Sequence, residues 1–208
     1  MNHASSSSGG ASPLALSQWL ASPLGRYVLA REQAFYDKAV ADCFGYRAVQ
    51  LGWTGVPLMR CNRIPWQCLV GQTGLAGVQA LPYQLPFATR SLDLLLMPHT
   101  LDFSAHPRET LREAERVLAP EGRLVLTGFN PVSLFGLRRV WSRQQAPWNA
   151  HFLSLRRLKD WLELLDFDLA SGAFLCYAPP TGSEEWRSRF RFMESAGDRW
   201  WSFAGRRR

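Results

Sequence analysis

A histidine stands just past one of the most apolar segments of the chain, where it could take part in proton transfer. His99 follows the run Leu92–Met97, with Thr100 beside it and Asp102 close behind. A histidine in this position could act as a general base or orient a substrate. A loop histidine that is held by hydrogen bonds for purely structural reasons is the alternative, and the sequence leaves both interpretations open.

An asparagine takes the corresponding place after a second apolar run. Asn130 follows Arg123–Gly128 and precedes Pro131. Because the carboxyl ends of parallel strands meet at one edge of a sheet, we expect Asn130 to lie near His99 at the same crevice. Asparagine followed by proline is also a common turn, so both a substrate-binding role and a turn remain open.

The two runs are joined by a segment with the periodicity of a helix. Pro107 opens this helix, whose apolar face carries Leu111, Ala114 and Leu118. Strand, helix, turn and strand in this order form a right-handed βαβ crossover. A helix over Leu155–Phe167 and a strand over Leu169–Tyr177 continue the alternation. The sequence therefore predicts an α/β fold with a doubly wound, mostly parallel sheet.

The amino-terminal part of the chain precedes and includes the first predicted strand of this sheet. Residues 1–13 are rich in serine and glycine and are predicted to form a disordered tail. Ser22-Pro23 is a helix-capping pair. Tyr46–Leu51 is predicted as a short strand that leads into the loop Gly52–Gly55. No internal repeat is visible, so we expect residues 14–208 to form a single domain.

Three blocks in the middle of the chain have the order and spacing of a family signature. They are Leu85-Pro86-Phe87, Ser91–Leu96 and Leu111–Leu124. Together they resemble the type-11 branch of the class I S-adenosylmethionine-dependent methyltransferases. The segment Gly128–Arg139 is similar to a small bacterial subgroup of that family, and the resemblance extends over Tyr46–Tyr177.

This resemblance implies a three-layer, Rossmann-like fold, S-adenosylmethionine as the cofactor, and methyl transfer to an acceptor that the sequence does not identify. It also implies that the cofactor lies at the loop after the first strand and at the segment before Leu85. The cofactor-binding positions carried over from the family pattern are Gln50, Gly52, Trp53, Gly55, Leu81 and Pro82.

Several of these positions depart from the family's usual residues, which predicts a degenerate cofactor motif. Gln50 stands where the family has an acid, Thr54 where it has a second glycine, and Leu81 where it has an aspartate. No acid occurs within residues 43–92, so the acid that would bind the ribose hydroxyls is missing as well. Hydrogen bonds to charged groups contribute about 1.5–3 kcal/mol each. We therefore expect weakened cofactor binding, with stacking on an aromatic side chain such as Trp53 as partial compensation.

The net charge of +7 comes almost entirely from arginine, whose planar guanidinium suits phosphate recognition. The main basic patch of the sequence comprises Arg138, Arg139, Arg143, Arg156 and Arg157. A nucleic-acid partner that binds through these arginines is one hypothesis. A solvated helix face is the alternative.

The end of the chain predicts an incomplete sheet. Methyltransferases that the blocks resemble finish with an antiparallel strand inserted between the fifth and sixth strands. Only Trp200–Ala204 is a candidate for it here, and this segment is shorter than a normal strand. We therefore expect the last strand to be missing, which would leave an unpaired sheet edge.

Composition sets the remaining expectations. No apolar run reaches the roughly 18 residues of a membrane span, and the amino terminus lacks the features of a secretion signal, so we expect a cytoplasmic protein. The four cysteines match no zinc or disulfide framework, and no histidine has metal-ligand spacing to another ligand. No metal is therefore predicted, and the oligomeric state is not predicted by the sequence.

Two functions from different classes follow. The leading hypothesis is an S-adenosylmethionine-dependent methyltransferase with an unidentified acceptor and impaired cofactor binding. The alternative is a non-catalytic, methyltransferase-like module that binds a protein or nucleic-acid partner. The missing acids and the arginine patch motivate this alternative.

Overall fold

The computed structural model describes residues 13–72, 76–129, 153–174 and 200–207. Within them the strands are β1 (Arg47–Leu51), β2 (Trp66–Gly71), β3 (Val78–Gln79), β4 (Leu92–Pro98), β5 (Leu118–Phe129), β6 (Phe167–Phe174) and β7 (Trp200–Arg207). They form one sheet in the order β3-β2-β1-β4-β5-β7-β6. Strands β1 to β5 pair in parallel, and β7 is antiparallel to both of its neighbours. The strand order reverses between β1 and β4, so this is the switch point where ligands bind in such sheets.

Helices cover both faces of the sheet. The described helices are α1 (Pro13–Leu20), α2 (Pro23–Ala41), α3 (Thr100–Phe103), α4 (Pro107–Val117) and α5 (Leu155–Leu164). The predicted start of α2 is confirmed, because the Ser22 hydroxyl accepts a hydrogen bond from the Gly25 backbone N–H at 3.1 Å and Pro23 occupies the first turn.

The core lies in two layers, one on each side of the sheet, because successive strand side chains point to opposite faces. In β4, Leu95 and Met97 pack in a cluster with residues of α4 and α5. Leu94 and Leu96 pack on the other side with residues of α2. The predicted three-layer, doubly wound architecture is therefore confirmed.

The predicted βαβ crossover is confirmed as β4, α4 and β5, but its turn differs in detail. Leu118, predicted on the helix, is the first residue of β5 and pairs with Leu92. The sheet register then shifts before Leu94 pairs with Arg123, and Glu121 has a φ of 66°. The predicted turn is thus an irregularity within β5. After this irregularity, the strand resumes its parallel pairing with β4.

The second predicted helix is shorter than expected. Helix α5 ends at Leu164, and Asp166 has a φ of 56°, a left-handed conformation that commonly ends helices. Phe167 then begins β6. The strand predicted over Leu169–Tyr177 therefore begins two residues earlier than expected, and Tyr177 lies outside the described residues.

The expectation that the last strand is missing is wrong. Strand β7 is eight residues long and lies between β5 and β6. It pairs with β5 from Phe129↔Trp200 to Arg123↔Arg206. The predicted candidate segment ended at Ala204, before the arginines at the end of the sequence. However, a strand with partners on both sides is held by its backbone hydrogen bonds, which do not depend on side-chain type.

The link between β1 and β2 contains no helix, although every residue of it is described. Residues 52–65 instead form turns, and Leu58, Met59 and Ile64 pack into the core cluster on the α2 side. This loop takes the place of a crossover helix. Among the described residues, no helix combines the length and the apolar character that crossing a membrane requires.

Candidate cofactor crevice

The ends of β1 and β4 meet at a glycine with an unusual backbone conformation. Gly52 has a φ of 99°, and a Cβ on it would lie 2.5 Å from the Thr100 hydroxyl oxygen. The Thr100 hydroxyl donates a hydrogen bond to the Leu51 carbonyl at 2.6 Å. Since only glycine adopts this φ without strain and leaves room for Thr100, the loop after β1 requires glycine here.

The crevice above Gly52 is small and mostly apolar. The residues that line it include Leu16, Gly52, Trp53, Gln72, Pro82 and His99. No acid is among its described lining residues. The space within it is about 20 Å³, which is room for a single water molecule. Leu16, from α1, is 1% exposed and closes one side.

Gln50 stabilises the conformation of the loop after β1 through hydrogen bonds. Its Nε2 donates to the carbonyls of Trp53 and Val56 at 2.8 and 2.9 Å. Its Oε1 accepts from the Leu58 backbone N–H at 2.8 Å. The side chain is fully buried. A glutamate could not make this set of contacts, because an ionised carboxylate has no hydrogen to donate to two carbonyls.

Trp53 lies inside the protein. It is 6% exposed and packs in a cluster with Leu16, Leu20, Val28 and Phe129. Its Nε1 donates to the Ser17 hydroxyl at 3.0 Å, which ties the loop to α1.

Gly55 and the segment before Leu85 complete the predicted cofactor positions. A Cβ on Gly55 would lie 2.8 Å from the Trp53 indole, so this glycine makes room for the ring. Leu81 is 40% exposed and forms a single bridge with Gln84. Pro82 is buried and lines the crevice.

His99 sits between two buried carboxylates. Its Nε2 is 2.8 Å from Oε1 of Glu32 on α2, and its Nδ1 is 3.0 Å from Oδ2 of Asp102. All three side chains are at most 1% exposed. The Phe129 backbone N–H also donates to Oδ2 of Asp102 at 3.0 Å, whereas Oδ1 has no hydrogen-bond partner in the described part of the chain.

The carboxylates determine the protonation of this histidine. Burial alone would lower the pKa of His99, but the charge of Glu32 and the hydrogen bonds to Asp102 and Glu32 raise it to about 9. Burial also raises the pKa of Asp102. The two carboxylates therefore favour the imidazolium form, which can donate from both nitrogens. In this arrangement the ring holds the end of β4 against α2 and β5.

The remaining predicted residues are only partly placed. Asn130 and three arginines of the basic patch, Arg138, Arg139 and Arg143, lie outside the described residues. Arg156 and Arg157 are exposed in the first turn of α5. The structure thus brings Gly52, Trp53, Pro82 and His99 to one crevice.

Sequence reasoning missed Glu32 and Gln72. Glu32 lies four residues from both Val28 and Tyr36 on the buried stripe of α2, and an acid on such a stripe is a recognisable signal. Gln72 directly follows β2 and lines the crevice. It has no comparable signal in the sequence.

Residues 66–126 match the model of a family described as a methyltransferase domain, of type 11. The uncharacterized protein YafS of Escherichia coli (strain K12) is 47% identical over 94 residues, which are 44% of this chain and 39% of YafS. The uncharacterized protein MJ1123 of Methanocaldococcus jannaschii is 27% identical over 96 residues, 45% of this chain and 47% of that protein. The chain thus spans less than half the length of these relatives.

Solved structures that resemble this chain identify its fold. An S-adenosylmethionine-dependent methyltransferase from Thermotoga maritima has a TM-score of 0.61 at 19% identity, covering 94% of this chain and 98% of that chain. A chain from the complex that contains the Haloferax volcanii Trm112 methyltransferase activator has a TM-score of 0.64 at 14% identity, covering 94% and 97%.

The chain has the fold of the class I S-adenosylmethionine-dependent methyltransferases, as its sequence blocks predict. Its residues 66–126 carry the type-11 methyltransferase domain signature.

Proposed function

We propose that this chain binds S-adenosylmethionine in the crevice above Gly52 and transfers its methyl group to an acceptor that is still to be identified. The observation that carries the proposal is the position of the crevice. It lies at the carboxyl ends of β1 and β4, where the strand order reverses and where the φ of Gly52 allows a ligand to approach the backbone.

Residues of the crevice fit parts of the cofactor and lack others. The Gln72 amide, directly after β2, could hydrogen-bond the ribose hydroxyls in place of an acid. Pro82 supplies an apolar wall for the adenine. When bound, the cofactor supplies an electrophilic methyl group on a sulfonium. The chain's own contribution is to hold the reactants in line and to exclude water.

His99 acts in this proposal as a positioning residue. Its two ring nitrogens are engaged by Glu32 and Asp102, an arrangement that favours the imidazolium form and disfavours a role as general base. The residue instead fixes the wall of the crevice next to Thr100. Asn130, predicted at the same edge, remains a candidate for contact with the acceptor.

We expect cofactor entry to displace α1. The space in the crevice is small, and Leu16 and the Ser17–Trp53 hydrogen bond hold α1 over it. Outward displacement of this short helix would open the crevice without disturbing the sheet.

Thermal unfolding in the presence of S-adenosylhomocysteine tests the proposal, because a ligand that binds the native state raises the unfolding temperature. We expect a rise that increases with ligand concentration and is absent with adenosine monophosphate at the same concentration. An unfolding temperature that stays unchanged up to the highest soluble concentration of S-adenosylhomocysteine would overturn it.

A second candidate is a non-catalytic module with a nucleic-acid partner. The lack of any acid in residues 43–92 and the small size of the crevice favour it. It predicts salt-dependent retention of RNA or DNA that is lost on Arg138→Ala with Arg139→Ala. No retention at low salt would count against it. A cytoplasmic location remains an expectation under both functions.

A further inference from the structure

A groove runs between α4 and α5, away from the crevice above Gly52. Both helices pack on the same side of the sheet. The space between them is about 350 Å³, within the range of small binding sites. Its lining residues are Arg108, Leu111, Arg112, Trp161, Leu164 and Leu165.

The floor of the groove is apolar and partly open to solvent. Leu164 is 80% exposed, whereas Trp161 is 8% exposed and forms a rigid base. Leu111 is fully buried beneath them. Single exposed leucines are common on protein surfaces. Here Leu164 lines the same concavity as Leu165 and Trp161.

The rim of the groove is positively charged. The guanidinium carbons of Arg108 and Arg157 each lie 4.9 Å from the centroid of the Trp161 ring, which orders both cations. Arg112 adds a third charge. Within the described chain, neither Arg108 nor Arg112 has an ion-pair partner.

Among the described residues, no acid forms an ion pair with Arg108 or Arg112. Glu109 is 3.6 Å from His106, and Glu113 pairs with Arg116 at 2.7 Å. The exposed acids of α5, Asp160 and Glu163, are not among the described lining residues. In the part of the chain that the structure describes, the groove therefore combines an apolar floor with two cations, Arg108 and Arg112, that have no ion-pair partner.

We propose that the groove between α4 and α5 is a docking site for an acidic amphipathic helix of a protein partner. Leucine-like side chains at i, i+3, i+4 and i+7 would cover Leu164 and Leu165, while glutamates on their flank would pair with Arg108 and Arg112. Nucleic acid fits less well, because the buried Trp161 offers no open face for base stacking and phosphates leave Leu164 uncovered. The proposal does not depend on cofactor binding.

Fluorescence anisotropy with a labelled helical peptide of about 18 residues, with leucines at those positions and flanking glutamates, tests the docking site. We expect it to bind the wild-type chain, and a lysine-for-glutamate version to bind poorly. Arg108→Glu with Arg112→Glu should weaken binding of the acidic peptide about tenfold or more and improve binding of the basic one. Leu164→Asp should weaken both.

Arg47→Glu with Arg63→Glu provides the matched control, since these exposed arginines lie elsewhere and the net charge changes equally. Unchanged peptide binding in this control supports a defined site, provided that all variants unfold at the wild-type temperature. Equal weakening in both double variants would overturn the proposal, as would no binding of the acidic peptide. Displacement of the peptide by single-stranded RNA, with no effect of Leu164→Asp, would also overturn it.

Discussion

The Nε2 atom of His99, on the loop after β4, lies 2.8 Å from Oε1 of Glu32 in the middle of α2. This contact joins residues 67 positions apart and links the covering helix to the wall of the crevice. With Asp102 on the other ring nitrogen, two carboxylates share one imidazolium in a site closed to solvent. Removal of one partner of such a buried arrangement is strongly destabilising.

Glu32→Gln should therefore destabilise the fold in a pH-dependent way. The ordinary pKa of histidine is 6.5 and that of His99 is about 9. Below pH 6.5 both folded and unfolded states are protonated, so the stabilisation by the ion pairs is fully present, and it is lost as pH rises through 9. We expect Glu32→Gln to lower the free energy of unfolding by about 3 kcal/mol at pH 6 and by less at pH 9.

Urea denaturation at both pH values measures this difference, with Glu163→Gln, an exposed acid on α5, as the control. An equal loss at pH 6 and pH 9 would show that the charge of Glu32 does not set the pKa of His99.

Gln50→Glu restores the acid of the family pattern, yet we expect it to impair the protein. The carboxylate would face the carbonyls of Trp53 and Val56 in a fully buried position. We predict a loss of about 2–4 kcal/mol in the free energy of unfolding, and Gln84→Glu, at an exposed position, should cost much less. If Gln50→Glu instead bound S-adenosylhomocysteine more tightly at unchanged stability, Gln50 would be a residue that contacts the ligand and not one that stabilises the loop.

Leu16→Ala should loosen α1 over the crevice. The change removes packing against Trp53 and Phe129, so hydrogen exchange of the α1 amides should accelerate while that of β4 stays unchanged. Because the closed state loses stability relative to an open one, we expect the affinity for S-adenosylhomocysteine to rise about tenfold. A lower affinity, measured with the same faster exchange, would mean that α1 contributes contacts to the bound ligand.

A chain that ends at residue 199 should fail to fold. Without β7, both β5 and β6 lose a full row of backbone hydrogen bonds, and exposed strand edges promote aggregation. We expect the truncated chain to be insoluble or to lack cooperative unfolding, as judged by circular dichroism. A monodisperse product with the wild-type unfolding temperature would show that β7 is dispensable.

The sequence predicted those parts of the fold that local patterns encode. β4 is an apolar run bounded by turn residues, and α4 has a proline at its start and a regular apolar face, so both were predictable. β7 was not, because its pairing with β5 and β6 depends on distant backbone and not on its own side chains. Glu32 was missed for a related reason, since its partner His99 is distant in sequence.

The candidate site was predictable in position and less so in chemistry. The family blocks imply the order of the strands. In that order, the glycine loop after β1 predicts that the crevice lies at Gly52. The role of Gln50 depends on three hydrogen bonds to residues of its own loop, whose conformation the sequence does not reveal. The missing charge at this position is thus explained by loop structure, independently of any ligand.

Isothermal titration of S-adenosylhomocysteine into three proteins tests the central claim most directly: the wild-type chain, Gly52→Ala and Gly77→Ala. At Gly52 a Cβ would collide with Thr100, whereas at Gly77 its nearest neighbours are 3.7 and 3.8 Å away. We predict measurable binding to the wild type, unchanged binding to Gly77→Ala, and at least about tenfold weaker binding to Gly52→Ala. No heat from folded wild-type protein at ligand concentrations on the order of hundreds of micromolar would contradict the claim that this crevice binds the cofactor.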